Sequence, residues 1–479
     1  MVLREKIVHM VLLLSILGIL FTGCEEDGYL SSDDVHLTFS VDTLKFDTIF
    51  TTIGSTTKSF RIINNNIQPI LISTIQLAGG DKSAYRLNVD GEMSNELHDI
   101  ELPANDSLYV FVELTVDPNG SNQPMIVQDS IIFITNTTIQ DIDLLAWGQD
   151  FVPIDGAKIN TTTWTSEKPY LVYNVAWVDS GEVLTIEPGT QIYFHKGSAL
   201  AVLGAVQALG TPSMPITFSG DRLETMYDDI PDQWHGILLF PSKETSIFEN
   251  VEIKNAKIGL QVGTLEYDGY ANAKLHNVKI QHMAYAGIFA IEAKIDATNT
   301  LIDDCGYYCA TLAGGEYNFT HCTIGNFWGS YSNRQTPSVI ISNIIIVGEG
   351  NDTIKYTRDL VEANWHNSII WGNLDTEIEF GQDLDKQFNF QFDNCLVRLP
   401  DSTANKFPKR FIKVQNNIDP KFIDYRAYDF QLDTLSPAKD AGSIDYGELV
   451  PNDLNNVSRL SDKAPDLGVY ERIEKKEDD

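Results

Sequence analysis

Seven times between Phe248 and Val397 the sequence reads apolar, any, Asn, any, any, Ile or Val, with His replacing Asn once. The centres are Asn250, Asn277, Asn299, His321, Asn343, Asn367 and Asn394, at spacings of 27, 22, 22, 22, 24 and 27 residues. Two before each centre stands an apolar residue: Phe248, Leu275, Ala297, Phe319, Ile341, Trp365 and Phe392. Three after it the row is stricter: Ile253, Ile280, Ile302, Ile324, Ile346, Ile370 and Val397. A recurrence of this length specifies stacked coils, each in contact with its neighbours, rather than a globule around one centre.

Side chains alternate faces along a strand, so positions two before and three after a centre should point opposite ways. Both rows are apolar and both need burial, so the chain must turn a corner between them. Asn suits that corner because it tolerates the left-handed conformation, and stacked amides can hydrogen-bond from coil to coil. Leucine-rich repeats share the period and also use Asn, but they carry several leucines and often a helix, whereas these units are β-branched with short polar corners. The pattern specifies an all-β chain whose larger part, residues 151–425, is a right-handed parallel β-helix. Upstream, Leu184-Thr-Ile-Glu-Pro-Gly-Thr-Gln-Ile-Tyr-Phe, Leu200-Ala-Val-Leu-Gly-Ala-Val-Gln-Ala-Leu-Gly-Thr, Pro215-Ile-Thr-Phe and Trp234-His-Gly-Ile resemble the first rungs of pectin-lyase-like β-helices. Coils from about Leu184 to Val397 imply roughly ten rungs and ~50 Å of stack.

Before the coils, residues 35–150 hold seven short alternating segments separated by turn signals such as Asn64-Asn65-Asn66, Gly79-Gly80 and Asp117-Pro118-Asn119-Gly120. Such a series predicts an immunoglobulin-like sandwich. Phe60-Arg-Ile-Ile-Asn, Val116-Asp-Pro and Trp147-Gly-Gln-Asp resemble the abnormal-spindle-like modules of bacterial extracellular proteins, which implies a spacer or docking role. After the coils, residues 426–479 resemble the closing segment of many secreted β-helix proteins, although Asn456 and Val457 replace the usual Gly before Arg459. Asp440, Asp453, Arg459 and Asp466 are expected to pin this tail over the last coils.

Residues 1–23 combine Arg4 and Lys6 with an apolar run from Ile7 to Phe21, which reads as a secretory signal too short for a comfortable membrane span. Phe21-Thr22-Gly23-Cys24 resembles the lipobox of bacterial lipoproteins, with Phe21 where Leu is usual. The resemblance implies lipidation of Cys24 and an outer-membrane, surface-exposed position in a Gram-negative cell, followed by an acidic tether over residues 24–34. The formal charge of −33 argues against nucleic acid as a partner. Cys305, Cys309, Cys322 and Cys395 are expected to be buried thiols. None of the nine histidines lies at metal-ligand spacing, and no cofactor is implied.

Two functional classes compete. A β-helix lyase or glycoside hydrolase would work along the groove with paired acids and bases. Asp303-Asp304-Cys305 is similar to the Asp-Asp-Cys of polygalacturonases, yet the companion Asn-Thr-Asp, Gly-His-Gly and Arg-Ile-Lys motifs of that family are missing. Asp375, Glu377 and Glu379 alternate as a strand's single acidic face would. The other class is a non-catalytic binding or adhesion protein that meets a polysaccharide or a surface protein. Tyr267, Tyr270, Tyr285, Phe289, Tyr307, Trp328 and Tyr331 fall on loops and strand ends of successive coils, where aromatic faces can stack on sugar rings or anchor a partner. The binding reading leads, because no column of charged residues accompanies the repeat.

Overall fold

The computed structural model describes residues 28–31, 35–267, 269–329, 333–348 and 353–472. The leader with Cys24 and the aromatic Tyr331 lie outside them. The chain is all-β and divides into two compact units, residues 1–150 and 151–479. No helix among the described residues is long and apolar enough to cross a membrane.

The first unit contains two five-stranded sheets that share one apolar core, with Phe60, Ile72, Tyr85, Val110, Phe133 and Leu144 among its buried members. Besides the two-residue strand Glu92–Met93, two longer strands, Thr43–Phe50 and Glu96–Leu102, lie outside the seven expected segments. Both interrupt the alternation that marks a strand. Asp99 takes a left-handed φ of 53° inside the second, and the ladder between the first and Thr138–Gln149 shifts register between Leu145 and Trp147. Such irregularities displace the apolar positions by one residue.

The second unit is dominated by a curled sheet of 25 strands among the described residues, running from Val152–Asp155 to Gln415–Asn416. It begins earlier than Leu184, and every strand pairs in parallel with strands one winding away. One register column stacks Trp164, Ile186, Ala208, Phe248, Leu275, Ala297, Phe319, Trp365, Phe392 and Phe411. Another stacks Tyr170, Ile192, Phe218, Ile253, Ile280, Ile302, Ile324, Ile370 and Val397. The aromatic members lie ring on ring: Phe319 and Trp365 are 4.1 Å apart at 7°, and Phe392 and Phe411 are 5.2 Å apart at 2°.

Between the columns the chain bends at Asn250, Asn277, Asn299, His321, Asn367 and Asn394, with φ from 46° to 56°. The amides form the ladder that the spacing implies. Asn277 Nδ2 donates to Asn250 Oδ1 (3.1 Å), and Asn299 Nδ2 donates to Asn277 Oδ1 (3.0 Å).

One of the seven repeats is not a coil of this series. Ile341 stacks on Leu312 and Phe380, in a third column, and Phe319 is followed directly by Trp365. The chain after Asn343 leaves as an antiparallel hairpin, Ile344–Val347 with Ile354–Thr357, and Ile346 is 67% exposed. A hairpin strand entered from a buried strand reproduces the local pattern by chance. The step between true corners is therefore the whole interval from His321 to Asn367. It also brings Cys322 and Cys395 to two windings apart, still too far for a disulfide at about 4.8 Å per step. The four cysteines downstream of Cys24 are buried free thiols.

Candidate functional site

The strands that follow the Asn corners bury Ile280, Ile302, Ile324 and Ile370 inward, so Gln281, Leu301, Asp303, Ile369 and Trp371 face outward. The tail lies over this outward face. Leu301 packs with Phe430 and Val469, and Ile369 and Trp371 pack with Leu432 and Leu467. The tail is pinned at Arg459, which has no exposed surface. Arg459 Nη2 donates to Asn299 Oδ1 (2.8 Å) and to the carbonyls of Gly468 and Val469, and Nη1 lies 3.4 Å from Glu471 Oε2. Asp453 and Asp466 accept backbone N–H bonds from Val457, Glu471, Asp440 and Arg472 instead of meeting the guanidinium. The tail thus fastens to the middle coils, through Asn299, Thr323 and Asn367, and also lies over the last ones, where Gln415 Nε2 donates to the Pro437 carbonyl and Leu396 packs with Leu432 and Ala438.

Asp303 is sealed beneath it. Gln281 Nε2 donates to Oδ2 (2.8 Å), while Oδ1 has no partner among the described residues. Burial pushes this carboxyl up to about 8 against the pull of His282, so it is protonated at neutral pH. Asp304 turns the next corner with φ 46° and faces the other way. Its Oδ2 is 2.8 Å from His282 Nδ1, and His282 Nε2 is 3.4 Å from Asp229 Oδ1. Burial opposes the charge of that imidazole, but the Asp304 hydrogen bond and the surrounding carboxylates together raise its pKa. Tyr428 closes over the ring edge at 4.6 Å. A cleft of about 340 Å³ reaches Asp304 between Phe327, Tyr425, Arg426 and Tyr428.

Inverting hydrolysis requires two carboxyls that face one glycosidic bond across a water. Asp303 and Asp304 do not offer that: one is covered by the tail and the other is engaged by an imidazole. The sequence analysis missed His282 and Asp229. A signal for the first existed, because Asn255, His282 and Asp304 stand five residues after successive Asn corners and all have positive φ. The acidic alternation at Asp375, Glu377 and Glu379 is also not one face. Glu377 is fully buried in a bidentate pair with Arg334 (2.6 and 2.9 Å), whereas Asp375 and Glu379 are exposed.

The aromatic candidates separate into groups. Tyr285, Phe289, Tyr307 and the neighbouring Tyr308 come together. Tyr285 lies 5.2 Å from Tyr307, 5.8 Å from Tyr308 and 6.1 Å from Phe289 by ring centroids. Backbone bonds from the N–H groups of Tyr307 and Tyr308 to the Tyr285 carbonyl hold consecutive windings in register there. Tyr307 is 51% exposed. Burial raises the hydroxyls of Tyr285 and Tyr308, which keeps both as neutral donors. Phe289 leans on the hairpin cluster of Ile345 and Tyr356. Tyr267 packs instead against Phe240 at 5.5 Å, and Tyr270 is exposed in a neighbourhood that includes Glu292 and Glu316. Trp328 is 5% exposed and does not belong to a contact surface. Its ring lies against Gly306, where an added Cβ would stand 3.3 Å from Cζ2, and Asn373 Nδ2 binds its carbonyl. Among the described residues no group of three His, Cys, Asp or Glu side chains could hold a metal.

No protein-family model matches the chain, and no curated protein matches it. Several solved structures are weakly similar, three of them as follows. A family 123 glycoside hydrolase from Clostridium perfringens has 8% identity and TM-score 0.18, covering 24% of this chain and 26% of that one. The E. coli chaperone DraB has 11% identity and TM-score 0.17, covering 24% and 55%. The CsuC–CsuE chaperone–tip adhesion subunit complex of Acinetobacter baumannii has 10% identity and TM-score 0.15, covering 24% and 52%. The chain spans from a quarter to about half of those chains, and likeness at this level carries neither fold nor function across.

Proposed function

We propose that this chain is a surface lipoprotein in which an immunoglobulin-like sandwich precedes a right-handed parallel β-helix, and that the β-helix is a non-catalytic binding element for a glycan or a surface protein. What supports the binding role is the group Tyr285, Phe289, Tyr307 and Tyr308: four rings from successive windings, in mutual contact, with Tyr307 half exposed. Exposed ring faces offer apolar area and hydroxyl donors together, the combination that suits a sugar or a partner's anchor. Lipidation at Cys24 would hold the chain at the outer membrane, and the net charge of −33 disfavours nucleic acid.

The alternative is a polysaccharide lyase or hydrolase, and the high pKa of Asp303 is the observation in its favour. Glycan-panel binding with product analysis separates the two. The expected result is binding without turnover, weakened at least tenfold by Tyr307→Ala at an unchanged melting temperature. Product formation by the parent that Asp303→Asn and Asp304→Asn abolish would establish the enzyme instead. If no glycan binds and a surface protein does, with the same dependence on Tyr307, the partner is protein.

A further inference from the structure

A second concavity of about 750 Å³ lies between the outward sheet face and residues 417–425, and shares Phe327 and Tyr425 with the Asp304 cleft. Its walls are aromatic. Tyr425, just ahead of the tail, stacks on Phe327 at 4.0 Å and 19°, leaving Tyr425 37% exposed, and the nearly buried Trp371 lies at the sheet side. Its polar groups are of both signs. Arg398 is held flat over Trp371, 5.0 Å from the ring centroid, by bonds to the Gly372 carbonyl (2.7 Å) and to Asp375 Oδ1 (2.8 Å). Asp419 and Lys421 complete the rim, and the Asp419 carboxylate accepts the Lys421 backbone N–H.

The balance of charge decides what such a cleft accepts. Arg398 and Lys421 offer donors, and Asp375 and Asp419 offer acceptors, so the formal charges cancel. An anionic group would approach two carboxylates within a protein of net charge −33, and a cation would meet the guanidinium and the ammonium. A neutral polyol meets neither objection, because each hydroxyl both donates and accepts. Its ring can lie on the aromatic wall while its hydroxyls span a carboxylate and a cation, and the volume lies within the range of small-ligand sites. We infer that this cleft binds a neutral saccharide unit, with the exposed part of Tyr425 as the stacking surface and Asp375, Arg398, Asp419 and Lys421 as the hydroxyl-reading groups. The inference deepens the glycan reading but uses residues distinct from the tyrosine group.

The test titrates the full chain with neutral gluco-, manno-, galacto- and xylo-oligosaccharides and with oligogalacturonate. At least one neutral series should bind, oligogalacturonate should not, and Tyr425→Ala should weaken binding at least tenfold with an unchanged melting temperature. Asp375 is 98% exposed through its side chain, so Asp375→Asn leaves the fold intact. Combined with Asp419→Asn it leaves the cleft cationic and should admit oligogalacturonate. Preference of the parent for oligogalacturonate, absence of any neutral binding, or indifference to Tyr425→Ala overturns the inference. Loss of binding with Tyr307→Ala alone would retain the tyrosine surface and dismiss the cleft, and loss with Tyr425→Ala alone would do the reverse.

Discussion

Asp303 ties the stability of the larger unit to pH. Unfolded, its carboxyl ionises near 3.8; folded, burial keeps the proton on until about 8. Across that window the folded chain binds more protons than the unfolded one, so stability falls as pH rises. The contribution is complete below about pH 4 and is lost as pH passes about 8. Asp303→Asn removes the titration, so urea unfolding at pH 5 and pH 8 should show a larger fall for the parent than for the variant. Equal falls would mean that Asp303 does not titrate there. Two isoleucines make a second contrast at this scale. Ile324 has no exposed surface and Ile346 is mostly exposed, although each stands three residues after a repeat centre. Ile324→Ala should cost about 2–5 kcal/mol as a large-to-small core change, and Ile346→Ala less than about 0.5 kcal/mol. Equilibrium denaturation of both variants checks the register directly. The repeat was readable in the sequence because burial and parity act locally. The Asn343 copy was misread because nothing local distinguishes a coil strand from the first strand of a hairpin.

At the scale of elements, the tail is the part whose chemistry the sequence showed least. Arg459 was visible as a candidate pin, but Glu471, which meets it, showed only as the end of the run Asp466-Leu-Gly-Val-Tyr-Glu, with nothing to mark it as the partner. The partner of the guanidinium on the coil side is a corner amide, Asn299, which spacing alone identified as structural. Arg459→Ala leaves the buried acceptors Asn299 Oδ1 and the Gly468 and Val469 carbonyls without their donor, at about 1–3 kcal/mol for each group left unsatisfied. It should also expose the tail to limited proteolysis between residues 426 and 472 before the coils become sensitive. Simultaneous loss of tail and coils would show that the two unfold as one element. The aromatic candidates were half legible for a similar reason. Exposure depends on which face the neighbouring element covers, and Trp328, covered at Gly306, looks in sequence like Tyr307.

For the whole molecule, the two units carry separate apolar cores. The proposed membrane attachment rests on Cys24 alone. Cys24→Ala should move the protein from the membrane fraction to the soluble fraction; retention in membranes would mean some other attachment. Within the larger unit, a stack of coils held only by neighbour contacts would be expected to fray from either end, one winding at a time. The tail changes that order. It bonds Asn299 through Arg459, Thr323 through the Val469 N–H, and Asn367 through Ser443 and Gly468, and so ties three successive windings to a single segment. Unravelling that arrives from the carboxy-terminal windings meets the splint already at Leu396 and Gln415 and must release these contacts together. The slowest-exchanging amides should therefore lie in the windings that the tail spans, from Asn299 to Gln415, while the windings before Asn250 open on their own.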